Sequence, residues 1–170
     1  MTPAPQVAPS HYVKPGYLTK DRWLNYWYLL NWVRKCAPKT VLEIGLGNGM
    51  VKTALERIGI HVDTVDIDPA LNPTYTASVT SIPVQDASHD FVLCAEVLEH
   101  LPFQESIVAI KELHRVSRRW VLVTLPHWWK THLFQGEHYW ELGKKSWSRR
   151  RIHTQLVEAG FKVYSPRIIC

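Results

Sequence analysis

The stretch Val41-Leu42-Glu43-Ile44-Gly45-Leu46-Gly47-Asn48-Gly49-Met50 decides the fold. An apolar strand runs into a glycine-rich turn, and a second apolar run ends at Val65-Asp66. Together they describe a nucleotide-like pocket at the carboxyl edge of a parallel sheet. Gly45, Gly47 and Gly49 are spaced GxGxG. A dinucleotide fingerprint, GxGxxG, needs glycine at position 50, where Met50 stands. A pyrophosphate sits close against a helix N-terminus. The open turn instead leaves backbone room for a ligand without phosphate, and Met50 disfavours a dinucleotide-dependent oxidoreductase.

Outward from this turn, strands and helices alternate. Val41–Gly45 reads as the first strand and Asn48–Ile58 as the helix after it, with Gly59 as its C′ residue. His61–Asp66 is the second strand. Pro69 and Pro73 then break the chain. Tyr75–Val79 and Asp90–Cys94 read as strands three and four. Ile107, Ile110 and Leu113 give Phe103–Val116 a helical period. The unbroken apolar run Trp120–Leu125 predicts a fifth strand buried on both faces. Ser146–Ala159 is the last helix, and Phe161–Ile169 contains a final strand. Upstream, Asp21–Cys36 is a helix with Thr19 as N-cap, stopped by Pro38. Its aromatic stripe (Trp23, Trp27, Tyr26, Trp32) suits core packing, the roof of a ligand pocket, or a membrane surface. The alternation predicts a single Rossmann-like, doubly wound α/β domain. Its sheet is mostly parallel, with helices on both faces.

A chain of 170 residues that is 46% hydrophobic can bury one sizeable core. The proline-rich residues 1–19 read as a flexible lead-in and residues 20–170 as the domain. No apolar run reaches eighteen residues, and the N-terminus lacks the pattern of a signal peptide. Cys36, Cys94 and Cys170 are odd in number and have no metal spacing, which predicts free thiols and a cytoplasmic protein. Residues 1–110 hold 8 Lys/Arg against 11 Asp/Glu, whereas residues 111–170 hold 12 against 4. The basic C-terminal third suits either a solvated surface or an anionic partner such as RNA.

Four motifs in register resemble a class I S-adenosylmethionine (SAM)-dependent methyltransferase of the small, general methyltransferase-domain type. They are Val41–Gly49, Val65-Asp66-Ile67-Asp68-Pro69, Asp90–Leu101, and Glu112–Val116 leading to Trp120–Pro126. The resemblance implies SAM as cofactor. Gly45 and Gly47 let the backbone approach the methionine part, where a side chain would collide. Gly49 completes the loop. Glu43 is implied to hold the ligand's amino group, Asp66 the ribose hydroxyls, and Ile67 the adenine face. Where the family usually carries an acidic residue for the adenine amino group, this chain has Ser78, with the backbone of Val79 beside it. Cys94 is grouped with the cofactor contacts at the end of strand four. The family's sheet normally ends in two strands after the last helix, the final one antiparallel and inserted beside strand five. Only Phe161–Cys170 remains here, so that strand is absent or the edge is covered otherwise: by the final strand, the aromatic segment or another subunit of an oligomer.

The acceptor is expected near the ends of strands four and five, at Cys94–His100 and Pro126–Glu141. The segment Pro126–Glu141 is rich in Trp and His and too long for a passive loop. His127 and His138 are its candidate general bases. A helix beginning at Glu96 would put Glu96, Glu99 and His100 on one face. With His138 they resemble the metal site of methyltransferases that modify the 2′-hydroxyl at small-RNA 3′ ends. The leading reading is methyl transfer from SAM to an unidentified acceptor, a small molecule. Two alternatives stand beside it: RNA methylation, metal-assisted at a 2′-hydroxyl, and a non-catalytic SAM-binding or scaffold protein.

Overall fold

The computed structural model describes residues 5, 7–126 and 148–164. A parallel sheet is built from β1 (Thr40–Ile44), β2 (His61–Asp66), β3 (Tyr75–Thr76), β4 (His89–Ala95) and β5 (Ser117–Thr124). Its order is β3-β2-β1-β4-β5. The helices are α1 (Lys20–Cys36), α2 (Met50–Arg57), α3 (Phe103–Val116) and α4 (Arg149–Glu158), joined by 3-10 turns at Pro9–Val13, Pro69–Leu71 and Leu98–His100.

Strand alternation divides the core between the two faces of the sheet. On β1, Val41 faces one layer and Leu42 the other. On β4, Phe91 and Leu93 alternate with Val92 and Cys94. One layer joins Val41, Phe91 and Leu93 to Leu29 and Val33 of α1 and to Val51 and Leu55 of α2. The other joins Leu42, Val92 and Cys94 to Ile110 and Leu113 of α3, with Ile152 and Leu156 of α4 packed on it. Helices therefore cover both faces, as a doubly wound sheet requires.

Local chemistry sets the element ends. Thr19 Oγ1 accepts the Arg22 backbone N–H at 3.3 Å and starts α1. Ala37, in the left-handed region, ends it just before Pro38. Gly59, at φ +84°, follows α2. The helix after the glycine turn starts at Met50 rather than Asn48, because Gly49 is itself the left-handed N-cap and Asn48 Oδ1 accepts the Met50 N–H at 3.2 Å.

β5 departs from expectation. It pairs only with β4 among the described strands, its apolar part is half-buried, and Arg118 and Arg119 are exposed. Among the described residues its apolar run is that of a sheet-end strand under partial cover, including Tyr164, whose ring centroid lies 6.1 Å from that of Trp120. Residues 161–164 form no strand, and the rest of the expected final strand lies outside the described residues.

Candidate active site

The sheet order reverses between β1 and β4, because β1 continues to β2 on one side while β4 and β5 extend the other. A crevice opens beyond the strand ends at such a switch point. A cavity of about 280 Å³ occupies it, near the lower end of the roughly 300–1,000 Å³ usual for small-molecule sites. Of the residues expected at the cofactor, Glu43, Gly45, Gly47, Asp66, Ile67, Ser78 and Val79 line it. Gly49 caps α2 outside the lining, and Cys94 is wholly buried in the core, where burial pushes its thiol pKa up.

The glycine turn is shaped by close approach. Gly45 has φ +82°, and a Cβ there would stand 2.5 Å from Val97 Cγ2. Gly47 has φ +54°, and its Cβ would meet Tyr12 and Tyr17 at ordinary contact distance. Asp66 ends β2 with both carboxylate oxygens on backbone donors: Oδ2 accepts the Leu46 N–H at 2.8 Å and Oδ1 the Asp68 N–H at 2.9 Å. A carboxylate has about four acceptor positions, so capacity for hydroxyl donors remains. Ser78 Oγ is engaged with Thr80 Oγ1 at 2.8 Å.

Glu43 is buried, and its Oε2 has no hydrogen-bond partner. Burial pushes its carboxyl pKa up to about 8, although the Lys52 backbone N–H and ammonium pull it down. A buried, unpartnered acceptor on a cavity wall is costly unless a donor completes it. An ammonium group answers that need. The bare backbone at Gly45, the carboxylate at the β2 end and the orphan oxygen of Glu43 thus fit a nucleoside carrying a cationic amino-acid arm.

The three acidic and basic residues after β4 do not share a helix face. Glu96 takes a left-handed φ of +56°, and only a 3-10 turn, Leu98–His100, follows. All three still line the cavity. Glu99 is buried with its Oε2 unpartnered; burial, then the neighbouring Glu96 charge, drive its pKa well up. His100 Nε2 lies 3.9 Å from Glu99 Oε1, and Glu96 Oε1 accepts the Thr124 hydroxyl at 3.1 Å. Among the described residues, no group of three or more His, Cys, Asp or Glu could hold a metal. His127 and His138 lie outside the described residues.

The pocket also has walls that sequence reasoning missed. Tyr12 and Tyr17, from the segment read as a lead-in, meet edge-on at 5.6 Å, and both line the cavity. Arg22 stands 4.0 Å over the Tyr17 ring and donates to its carbonyl at 3.0 Å. Tyr26 donates to Asn48 Oδ1 at 3.1 Å and ties α1 to the glycine turn. The dense aromatics of residues 12–28 were the available signal.

The parallel sheet with helices on both faces and a crevice at its switch point is the Rossmann-like fold of class I SAM-dependent methyltransferases. Residues 42–121 match the family described as a methyltransferase domain. Similar curated proteins include the ubiquinone biosynthesis O-methyltransferase of Paraburkholderia phytofirmans, 31% identical over 87 residues, covering 42% of this chain and 38% of that protein. The same-named enzyme of Aromatoleum aromaticum is 30% identical over 124 residues, covering 62% and 53%. The chain thus spans about half or less of the length of these relatives. Among solved structures, magnesium protoporphyrin IX methyltransferase from Synechocystis, with SAH bound, superposes with a TM-score of 0.69 at 16% identity, covering 92% of this chain and 84% of that one. A SAM-dependent methyltransferase from Archaeoglobus fulgidus gives 0.63 at 17% identity, covering 87% and 75%.

Proposed function

We propose that this protein transfers a methyl group from SAM to a small organic acceptor. The observation that carries the reading is the unpartnered, buried Oε2 of Glu43 on a cavity wall beside Gly45, where any Cβ would strike Val97. A cationic ligand with a slender arm is what such a wall favours. SAM supplies an activated methyl group on a sulfonium centre, so the chain's own task is to bind, orient and deprotonate.

Glu43 holds the ammonium of the cofactor's amino-acid arm. Gly45 and Gly47 admit that arm against the main chain. Asp66, already fixed by the Leu46 and Asp68 N–H groups, accepts the ribose hydroxyls without having to reorient. Ile67 and Val79 flank the adenine, with the Ser78 hydroxyl at its edge. The acceptor enters beside Glu96–His100, and His127 or His138 takes its proton. The printed names of the curated relatives, which concern O-methylation in ubiquinone biosynthesis, support a small-molecule acceptor.

The test is calorimetry with SAM and SAH, followed by incubation with methyl-labelled SAM and fractionated cell extract. Binding that Asp66→Ala weakens at least tenfold, with label in small metabolites, is the expected result. No binding of either nucleoside overturns the reading. Label entering RNA or protein overturns the acceptor class.

A further inference from the structure

We propose that the outer face of α1, with the strap before it, docks on an anionic lipid surface. The inward side of α1 carries Leu29 and Val33 into the core, and Arg22 and Tyr26 onto the cavity wall. The opposite side follows the stripe Lys20, Trp23, Leu24, Trp27, Asn31 and Arg34, spaced three and four residues apart. A water-facing stripe is ordinarily polar. Here Trp27 is 57% exposed, Trp23 48% and Leu24 43%, while Val13 and Leu18 of the strap are also exposed. The ring contacts of Trp23 and Trp27 are with Tyr26 and Tyr28 of the same helix.

Charge chooses the occupant. The strap and helix that carry this apolar patch also carry Lys14, Lys20, Arg34 and Lys35, all exposed, against Asp21 as the single acidic residue between positions 9 and 38. Two copies pairing through one shared patch would bring these cations face to face. A protein interface core is also depleted in lysine. Exposed tryptophans among basic residues are instead the composition of a segment lying at the headgroup level of a bilayer, where indole rings settle and cations meet anionic lipid. No helix among the described residues is long and apolar enough to cross a membrane, so contact is with the surface. Because α1 is about 10–12 Å across, docking would bring the cavity on its inner side within one helix diameter of the lipid.

The test is co-sedimentation of the full chain with vesicles of phosphatidylcholine alone and of phosphatidylcholine with phosphatidylglycerol, run beside SAH calorimetry. Trp23 and Trp27 lie outside the cavity lining, so the Trp23→Ser/Trp27→Ser variant should keep its melting temperature and SAH affinity. We expect binding to the anionic vesicles that rising salt weakens, that Lys14→Glu/Lys20→Glu reduces, and that the double tryptophan variant reduces about tenfold or more. Three results overturn the docking: a wild-type protein that stays in the supernatant, tryptophan replacement without effect, or a dimer in sedimentation velocity that the tryptophan variant dissolves. SAH binding without vesicle binding removes this proposal alone. Vesicle binding without SAH binding removes the methyltransferase reading and leaves the docking standing.

Discussion

Asp66 and Leu46 are joined by a 2.8 Å hydrogen bond that ties the end of β2 to the glycine turn after β1. The carboxylate thereby shapes the loop it shares the cavity with, and one substitution acts on both. Asp66→Ala frees the Leu46 and Asp68 N–H groups. These are partly buried, so the loss of stability should be about 1–2 kcal/mol, read as a lower denaturant midpoint. The SAH affinity should fall further than this destabilisation explains. Asp66→Asn keeps one acceptor for one N–H and should lie between the two in both measurements. Equal affinity in all three proteins would remove Asp66 from the ligand site.

Gly45 meets Val97 across the same turn. With φ at +82° and a 2.5 Å approach to Val97 Cγ2, Gly45→Ala combines left-handed strain with a clash against a stiff β-branched side chain. The expected destabilisation is about 2–4 kcal/mol, with SAH binding lost or severely weakened. Val97→Ala removes the clash but not the strain. The double variant should therefore recover about 1 kcal/mol or more relative to the additive expectation. A chemical denaturation cycle over the four proteins measures this directly.

Glu43 predicts an opposite pH response for stability and for binding. Its folded pKa, about 8, stands above the ordinary carboxylate value, so the folded state holds the proton more tightly than the unfolded state. The favourable contribution is full below about pH 4.5 and is lost as pH rises toward 8. Glu43→Gln should flatten this part of the melting-temperature profile relative to wild type. An ammonium group beside Glu43 favours the ionised carboxylate, so SAH, which keeps the ammonium of the amino-acid arm, should bind more tightly as pH approaches 8. Calorimetry in two buffers of different ionisation enthalpy should reveal proton release on binding, and the Gln variant should lose that release.

Much of the frame is legible because it follows from short-range rules. His61–Asp66 and Phe103–Val116 run as read: the first is a short segment closed by Val65-Asp66 at the strand end, and the second repeats Ile107, Ile110 and Leu113 at helical spacing. Gly45, Gly47 and Asp66 could be placed because each answers a local backbone or strand-end demand. β3 stops at Thr76, where the Ala77 N–H bonds Asp66 and a turn through Ser78–Ser81 begins. An apolar run alone does not show that stop. Nor does it reveal that β5 is an edge among the described strands, because edge position depends on what lies beside it. Tyr12 and Tyr17 reach the cavity by lying against Gly47, far along the chain and beyond any periodicity, and Arg22 is held there by Tyr17. The expected helix face at Glu96 fails because Pro102 starts α3 afresh and leaves only three residues for a 3-10 turn.

Arg115 holds the cavity wall from behind. Its guanidinium donates to the Ile82 and Val84 carbonyls, each at 2.8 Å, and to both Glu112 oxygens at 2.7 and 2.8 Å. Glu112 also accepts the Ile82 N–H at 2.9 Å. The loop so clamped leads back to Ser78 and Val79 at the cavity. The hydrogen bonds that Arg115 donates hold the Glu112 carboxyl below its usual range, so this contribution is present above that range and is lost as pH falls through the lowered folded value. Arg115→Met removes the partner of a partly buried carboxylate and frees two carbonyls. The exposed Asp86, 78% accessible, adds little. The expected destabilisation is about 2–3 kcal/mol at neutral pH, shrinking in acid, with a several-fold weaker SAH affinity as the Ser78–Val79 wall loosens. Urea titrations at neutral and acid pH should show the two proteins converging. An affinity untouched by the substitution would mean that the clamp supports the sheet but not the site.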